Sequence, residues 1–240
     1  MPPDDDLIAG SQGIVGVIVV AAGASRRMGD TDKIFAPLAG LPLIAHPLHV
    51  LNGLDCVKQI VLVLSGGNLD KGEELIASES LTKVTTVCEG GPRRQDSVLI
   101  GLNSLDRCDW VAVHDGARPL LTDAIVLRGL KSVGETGAAT AAVRVKDTIK
   151  IVAEDGTVTS TPSRDRLWAV QTPQIFAHDL LLNAHDGVQT DVTDDASMVE
   201  MIGGKVKVFT GSYENIKVTT PEDLLLAESL LRQRPARASS

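Results

Sequence analysis

The chain has 240 residues with 23 Lys+Arg against 31 Asp+Glu, a formal net charge of −8 at pH 7, 43% hydrophobic residues and only 2% aromatics. This acidic balance disfavours a phosphate-backbone partner, and so few rings leave no platform for stacking single-stranded bases, so nucleic-acid binding is excluded. The core must be built from Val, Ile, Leu and Ala, a composition that suits parallel strands buried on both faces.

The length suits a single domain over residues 14–234, between tails at 1–13 and 235–240. Short apolar runs alternate with amphipathic stretches. Strands are expected at Val15–Ala21, Gln59–Leu64, Lys83–Val87, Trp110–His114, Ala138–Val143, Val206–Phe209 and Ile216–Val218. Helices are expected at Leu43–Leu51, Leu69–Ala77, Arg94–Leu105, Asp123–Val133, Asp179–Ala184, Asp194–Ile202 and Pro221–Leu231. Asp194 and Thr220 read as helix caps, with Pro221 placed where its missing N–H does no harm. The alternation predicts βαβ units, hence an α/β fold with a Rossmann-like, doubly wound, mostly parallel sheet. Asp147–Ser160 departs from it: two β-like runs flank Glu154-Asp155-Gly156, a hairpin signal. A lone hairpin is marginal, so this protruding β-arm, about residues 144–165, is expected to pack on a second subunit.

The acidic N-terminus lacks the basic start of a secretory signal, and no run approaches the roughly 18 apolar residues of a membrane span. Cys56, Cys88 and Cys108 form no CxxC pair. Reduced thiols in a cytoplasmic protein with no membrane partner are therefore expected.

Doubly wound sheets bind ligands beyond the carboxyl ends of their strands. The first strand runs into Ala21-Ala22-Gly23-Ala24-Ser25-Arg26-Arg27-Met28-Gly29, with Lys33 close behind. Small residues let the backbone approach a ligand and present N–H groups to anionic oxygens. Arg26, Arg27 and Lys33 gather positive charge in an acidic protein, which points to a phosphate-rich substrate. The same residues also suit a tight βα turn with solvated cations. The loop is neither GxxxxGK[ST] nor GxGxxG, so P-loop hydrolysis and dinucleotide binding are disfavoured.

Next comes Glu89-Gly90-Gly91-Pro92-Arg93-Arg94-Gln95-Asp96-Ser97, opening a helix. It reads equally as an anion or base-edge site at a helix N-terminus and as a plain Gly-Gly-Pro turn. In Val113-His114-Asp115-Gly116-Ala117-Arg118-Pro119, Asp115 ends a parallel strand, a suitable place to hold Mg2+ beside nucleotide phosphates. Pro119-Leu120-Leu121 delays the next helix and so weighs against a capping role. Arg118 suits a second phosphate, and His114 is expected to be a satisfied packing residue. His46 and His49 lack a nearby carboxylate and are not expected to bind metal. Arg164 and Thr172 lie in the segment Arg164–Gln174, Thr193 in Thr193-Asp194-Asp195-Ala196-Ser197, and Lys217 in Asn215-Ile216-Lys217-Val218-Thr219. Each sits by default on a solvated face, although a cation within the short β run around Lys217 is out of place unless it faces a site.

In order along the chain, AAGASRRMG…K, GGPRRQDSV, VHDGARP, VKDTIK, AVQTPQ, TDDAS and NIKVTTPEDL resemble the 2-C-methyl-D-erythritol 4-phosphate cytidylyltransferase family of the non-mevalonate isoprenoid pathway, from about Val17 to Glu228. The resemblance implies transfer of the cytidylyl group of CTP to the phosphate of 2-C-methyl-D-erythritol 4-phosphate, releasing pyrophosphate, with Mg2+ as cofactor. It implies that Arg27 and Lys33 stabilise the charged transition state, that Arg164 and Lys217 position the attacking phosphate, and that Asp115 lies at the Mg2+–triphosphate. Ala21, Ala22, Gly23, Ala24, Ser25, Gly90, Gly91, Arg94 and Ser97 are expected on the nucleotide side. Arg118, Thr148, Thr172, Thr193 and Glu214 are expected on the acceptor side, Glu214 standing where the family usually has Asp. Family members dimerise through the arm, so a homodimer in which a partner's arm completes the site is expected.

The physical account agrees. A phosphate monoester must attack the α-phosphorus of CTP although both are anions, and fixed cations offset that repulsion without a covalent nucleophile. One alternative acceptor is another polyol phosphate such as ribitol 5-phosphate, which would change the pocket around Thr148, Arg164 and Thr193. A non-catalytic nucleotide-binding module is a second alternative, against which Arg164 and Lys217 weigh.

Overall fold

The computed structural model describes residues 13–23 and 33–234. Its centre is β1 (Val15–Ala21), an apolar run that pairs in parallel with β4 (Val57–Leu64) on one side and β6 (Trp110–Asp115) on the other. β5 (Val84–Glu89) continues beyond β4. Beyond β6 lie β10 (Trp168–Ala177), β7 (Ala138–Arg144) and β11 (Lys207–Thr210), giving a seven-stranded sheet in the order β11-β7-β10-β6-β1-β4-β5. β10 is antiparallel to both β6 and β7, whereas the other pairs of this sheet are parallel. The doubly wound, mostly parallel architecture is as expected, with one antiparallel strand set into it.

Alternate residues of each strand face opposite sides. Val15, Val17 and Val19 join one cluster with α1 (Ala45–Gly53), α2 (Leu69–Ser78) and α4 (Asp123–Val133). Ile18, Val61 and Val63 join another with α3 (Arg94–Asn103), α5 (His178–Gly187) and α6 (Asp195–Met201). With both faces covered, the strands need the aliphatic residues that the composition supplies. α7 (Pro221–Gln233) closes a smaller cluster of Leu38, Leu43, Leu120, Val218 and Ala227. Its start is fixed by a reciprocal cap: the Asp223 N–H donates to Thr220 Oγ1 (3.3 Å), and the Thr220 N–H donates to Asp223 Oδ2 (2.9 Å).

Three local features differ from the sequence expectation or add to it. β10 was not expected: its buried Gln171, Thr172 and Gln174 and its Pro173, which follows a cis peptide bond, break the apolar pattern. Ile216–Val218 forms no strand; the Val218 N–H is satisfied instead by the Ala117 carbonyl (2.8 Å). β2 (Pro37–Leu38) and β3 (Leu41–Pro42) form a tight hairpin turned by Ala39 (φ 48) and Gly40 (φ 91).

The arm is present as a separate two-stranded sheet of β8 (Ile151–Val152) and β9 (Val158–Ser160). Gly156 turns it with φ 84, and the Asp155 carboxylate accepts the Thr157 N–H (2.8 Å). Ile151, Val152 and Val158 are exposed.

Candidate active site

The chain leaves β1 and β6 at adjacent carboxyl ends, where Val20 is in register with Asp115. From β1 it goes on to build β4 and β5, and only then returns to form β6 on the other side, so a crevice opens between the two loops.

Asp115 lies at the bottom of this crevice, 6% exposed. Its Oδ2 is 2.9 Å from Lys217 Nζ and 3.5 Å from Arg118 Nε, and its Oδ1 is 3.3 Å from Arg94 Nε. Burial alone would raise its pKa, but Arg94, Lys217 and Arg118 together hold the carboxyl well below the usual range. Arg94 also donates from Nη1 to Asp195 Oδ2 (2.7 Å). Burial pushes the Asp195 carboxyl upward, and the Arg94 guanidinium counters it. Arg118 donates from Nη1 to the Asn215 carbonyl (2.8 Å), and Asn215 Nδ2 donates to the Thr172 carbonyl (2.8 Å).

Behind Asp115, His114 is fully buried and bonded on both sides of its ring. Its Nε2 lies 3.2 Å from the Arg118 carbonyl and must donate to it, which leaves Nδ1 to accept from the Thr172 hydroxyl (3.1 Å). Burial pushes its pKa down to about 4, so the ring is neutral at physiological pH. Thr172 Oγ1 accepts the Asp115 N–H (3.0 Å), so the three residues lock one another. This matches the expected packing role of His114.

Two cavities meet at this cluster. One, of about 360 Å3, is lined by Ala21, Ala22, Gly23, Lys33, Gly91 and Ser97 among others; the second, of about 500 Å3, by Arg118, Thr140, Thr172, Gln174, Thr193 and Asp194 among others. Arg94, Asp115 and Lys217 line both. Gly90 is packed where a Cβ would meet Ala22 and stand 2.7 Å from Ser97 Oγ, so the small residue sets how closely the β1 loop approaches α3. Ala24, Ser25, Arg26 and Arg27 lie outside the described residues.

Other expected site residues stand apart from the two cavities. Thr148 is exposed on the arm, and Arg164 is exposed in a 3-10 turn at its base, donating to the Lys146 carbonyl (2.7 Å). Glu214 pairs with Arg234 (3.2 Å). Within one chain the structure therefore brings the nucleotide loops, Asp115, Arg118, Thr172, Thr193 and Lys217 together, and leaves Thr148, Arg164 and Glu214 outside.

Several residues that build the site escaped the sequence reading. Asp195 anchors Arg94 from the start of α6. Gln174 donates to Thr140 Oγ1 (3.1 Å) and to Asp194 Oδ2 (2.7 Å), bracing the wall of the larger cavity. His49 does find a carboxylate, Glu79, at 2.9 Å, although 30 residues separate them. Among the described residues no three His, Cys, Asp or Glu side chains cluster as a metal site. Asp115 is the carboxylate shared by both cavities.

A nucleotide-sized hollow of small residues, a second polar hollow, and cations at their junction suit the joining of a nucleotide to another anion. The fold and the enzyme class are those of a nucleotidyltransferase. The family model for 2-C-methyl-D-erythritol 4-phosphate cytidylyltransferase (IspD) matches residues 15–233. The 2-C-methyl-D-erythritol 4-phosphate cytidylyltransferase of Dehalococcoides mccartyi is 48% identical over 219 residues, covering 91% of this chain and 96% of that protein. That of Alkaliphilus oremlandii is 45% identical over 224 residues, covering 91% and 95%. The crystal structure of 4-diphosphocytidyl-2C-methyl-D-erythritol synthase from Anaerococcus prevotii is similar with a TM-score of 0.82 at 28% identity, covering 92% of this chain and 99% of that one. The chain belongs to the 2-C-methyl-D-erythritol 4-phosphate cytidylyltransferase family.

Proposed function

We propose that this protein transfers the cytidylyl group of CTP to 2-C-methyl-D-erythritol 4-phosphate, giving 4-diphosphocytidyl-2-C-methyl-D-erythritol and pyrophosphate. The observation that carries this reading is the meeting of the two cavities at Arg94, Asp115 and Lys217. CTP occupies the smaller cavity, its base against the small side chains and backbone of Ala21, Ala22, Gly23, Gly90, Gly91 and Ser97. Ala24 and Ser25 continue that loop. The acceptor occupies the larger cavity beside Arg118, Thr172 and Thr193.

The acceptor phosphate is the nucleophile. One of its oxygens bonds to the α-phosphorus of CTP while the bond to the bridging oxygen of the β-phosphate breaks, and pyrophosphate carries away the electron pair. Lys217 holds the attacking phosphate, and Arg27 and Lys33 stabilise the charge that builds on the α-phosphate and the leaving group. Nothing in this scheme needs a side chain to bond to substrate or to exchange a proton, which fits a site made of permanent cations and one depressed carboxyl.

One carboxylate shared by the two cavities, among cations, fits a Mg2+ that arrives on the triphosphate, since Mg2+ commonly takes one or two carboxylates and fills its shell with phosphates and water. Asp115 would hold it, and the ion would supply charge neutralisation of the triphosphate.

The functional unit is one domain over residues 14–234, with the arm at about 144–165 as its dimerisation element. The exposed Ile151, Val152 and Val158 support that role for the arm. Thr148 and Arg164, which face neither cavity of their own chain, serve the acceptor of a second subunit in a homodimer; Glu214 belongs to the acceptor-side loop.

The test is pyrophosphate release over CTP, UTP, ATP and GTP with 2-C-methyl-D-erythritol 4-phosphate, and with ribitol 5-phosphate in parallel. Turnover restricted to CTP and faster with the methylerythritol acceptor is expected. Faster release with ribitol 5-phosphate overturns the choice of acceptor, and CTP binding without turnover overturns the enzyme.

A further inference from the structure

Lys217 is carried by a strap, residues 211–218, that leaves β11 and crosses to the site without joining the sheet. The strap is fastened at several points. Gln171 donates from Nε2 to the Ser212 carbonyl (2.8 Å) and accepts the Ser212 N–H (3.3 Å). Asn215 bonds to the Thr172 carbonyl and to Arg118, as described above. Glu214 reaches Arg234 beyond α7. At its ends the Gly211 N–H donates to the Ala142 carbonyl (2.9 Å) and the Val218 N–H to the Ala117 carbonyl (2.8 Å), and a further fastening is Tyr213, the single tyrosine of the chain. Its hydroxyl donates to the Arg144 carbonyl (2.9 Å), and the Lys146 ammonium lies 3.6 Å from its ring centroid.

Arg144 ends β7, and Lys146 follows where the chain enters the arm. The same pair organises the arm base. Arg144 stacks over Trp168 (4.7 Å) and donates from Nη1 to the Asp165 carbonyl (2.8 Å), while the Lys146 carbonyl accepts from Arg164 (2.7 Å). The Gln171, Asn215 and Glu214 fastenings tie the strap to β10, to Arg118 and to the end of α7. Tyr213 is the described fastening that ties it to the arm. In a chain with 2% aromatics, two of the few rings are thus spent on this junction. Tyr213 is 50% exposed, so core packing does not account for it.

We propose that Tyr213 is a positioning residue that fastens the strap bearing Lys217 to the base of the β-arm, so that the placement of Lys217 toward the acceptor phosphate depends on the arm. The inference rests on the reading above that Lys217 faces the acceptor. The Lys217 side chain is 41% exposed and is held by one ion pair, so the backbone beneath it decides where its ammonium spends its time. Loosening the strap lowers the fraction of molecules with the cation in place and leaves Ala21, Ala22, Gly23, Gly91 and Ser97, the small residues of the cavity for CTP, where they are.

The test uses the full chain with CTP and 2-C-methyl-D-erythritol 4-phosphate. Tyr213→Ala removes both a cation–π contact and a hydrogen bond, and should raise the acceptor KM about tenfold while the KM for CTP stays within about twofold. Tyr213→Phe keeps the ring beneath Lys146 and should fall between the two. Lys146→Met should raise the acceptor KM less, and its effect should largely vanish in the Tyr213→Ala background. An unchanged acceptor KM in Tyr213→Ala, an equal rise in both KM values, or full additivity with Lys146→Met overturns the proposal. Hydrogen exchange supplies a readout without substrate: peptides over 211–218 should exchange faster in Tyr213→Ala, and those over β1 and α3 should not. If the wild type fails to turn over this acceptor, the functional reading fails, and unchanged exchange in the strap is then what overturns the role of Tyr213.

Discussion

Arg94 Nη1 lies 2.7 Å from the carboxylate of Asp195, a residue with no exposed surface, and through this contact the start of α6 fixes a cation that both cavities share. The same guanidinium reaches Asp115 through Nε at 3.3 Å, so one side chain is stretched between the carboxylate that opens α6 and the one at the cavity junction. Arg suits the position because its planar fork offers separate donors to each.

Replacing Arg94 by Met should therefore do two things. Asp195 is left buried without its partner, and losses of this kind cost about 3–5 kcal/mol. The cavity junction also loses a cation, so CTP-dependent turnover falls. Adding Asp195→Leu removes the stranded charge, and the double variant should regain most of the stability while staying inactive. Denaturant midpoints and turnover on the same samples separate the two effects; a double variant as unstable as Arg94→Met contradicts this account.

Much of the scaffold was legible in the sequence because local physics decides it. β1 and α4 have the expected bounds, the first as an unbroken aliphatic run and the second as an amphipathic stretch. β10 was not legible: Gln171, Thr172 and Gln174 point polar groups into a sheet because they build the site, and the register with β7 shifts between Val170 and Gln174, around the proline that cannot donate. Ile216-Lys217-Val218 alternates like a strand but pairs with none among the described residues, bonding instead to the loop at Ala117. The loops that line the two cavities could be found from residue types placed after strands. Asp195, by contrast, is 101 residues from Arg94, and its role exists only in three dimensions.

The buried imidazole of His114 makes stability pH-dependent in a defined window. Its pKa is about 4 in the folded protein because burial disfavours the cation, against about 6.5 in an unfolded chain. Between those values the unfolded state binds a proton that the native state does not. Stability is thus complete above pH 6.5 and is lost as pH falls toward 4, by up to about 3 kcal/mol. His46 and His185, also lowered by burial, act in the same direction. Urea midpoints of the metal-free protein at pH 7.5 and 5.0 should diverge more for wild type than for His114→Gln. Equal divergence assigns the effect elsewhere.

The close approach of Gly90 to Ala22 predicts a compensating pair. A Cβ at Gly90 would collide with the Ala22 methyl, 2.7 Å from Ser97 Oγ, and should force the β1 loop away from α3. Overpacking of this size costs about 1–3 kcal/mol, and here it should surface mainly as a raised KM for CTP. Gly90→Ala with Ala22→Gly restores the space and should recover part of the affinity. Calorimetric CTP binding reads both, and an unaltered affinity in Gly90→Ala removes Gly90 from the nucleotide pocket.

Arg27→Ala and Lys33→Ala address the transition state. If the two cations act on charge that develops during transfer, each should lower kcat about 100- to 1,000-fold, as the loss of an oxyanion donor does, with thermal midpoints close to wild type. Lys33 lines the smaller cavity beside Ala21 and Gly23, in position for a nucleotide phosphate. Single-turnover rates at saturating substrates give the comparison, and wild-type rates in either variant withdraw its proposed role.

The arm provides the last test. Ile151, Val152 and Val158 are each more than half exposed, and a two-stranded sheet has no core of its own. Such a surface is stable in water only at a cost that a second subunit removes by covering it. Replacing Ile151–Val158 with a short Gly-Ser turn should shift the protein from dimer to monomer by light scattering and lower turnover, since Thr148 and Arg164 ride on the segment it truncates. The larger change is expected in the KM for the acceptor, because the nucleotide cavity contains no arm residue. A shortened protein that stays dimeric, or a monomeric wild type with full activity, would show that the arm serves neither assembly nor the acceptor site.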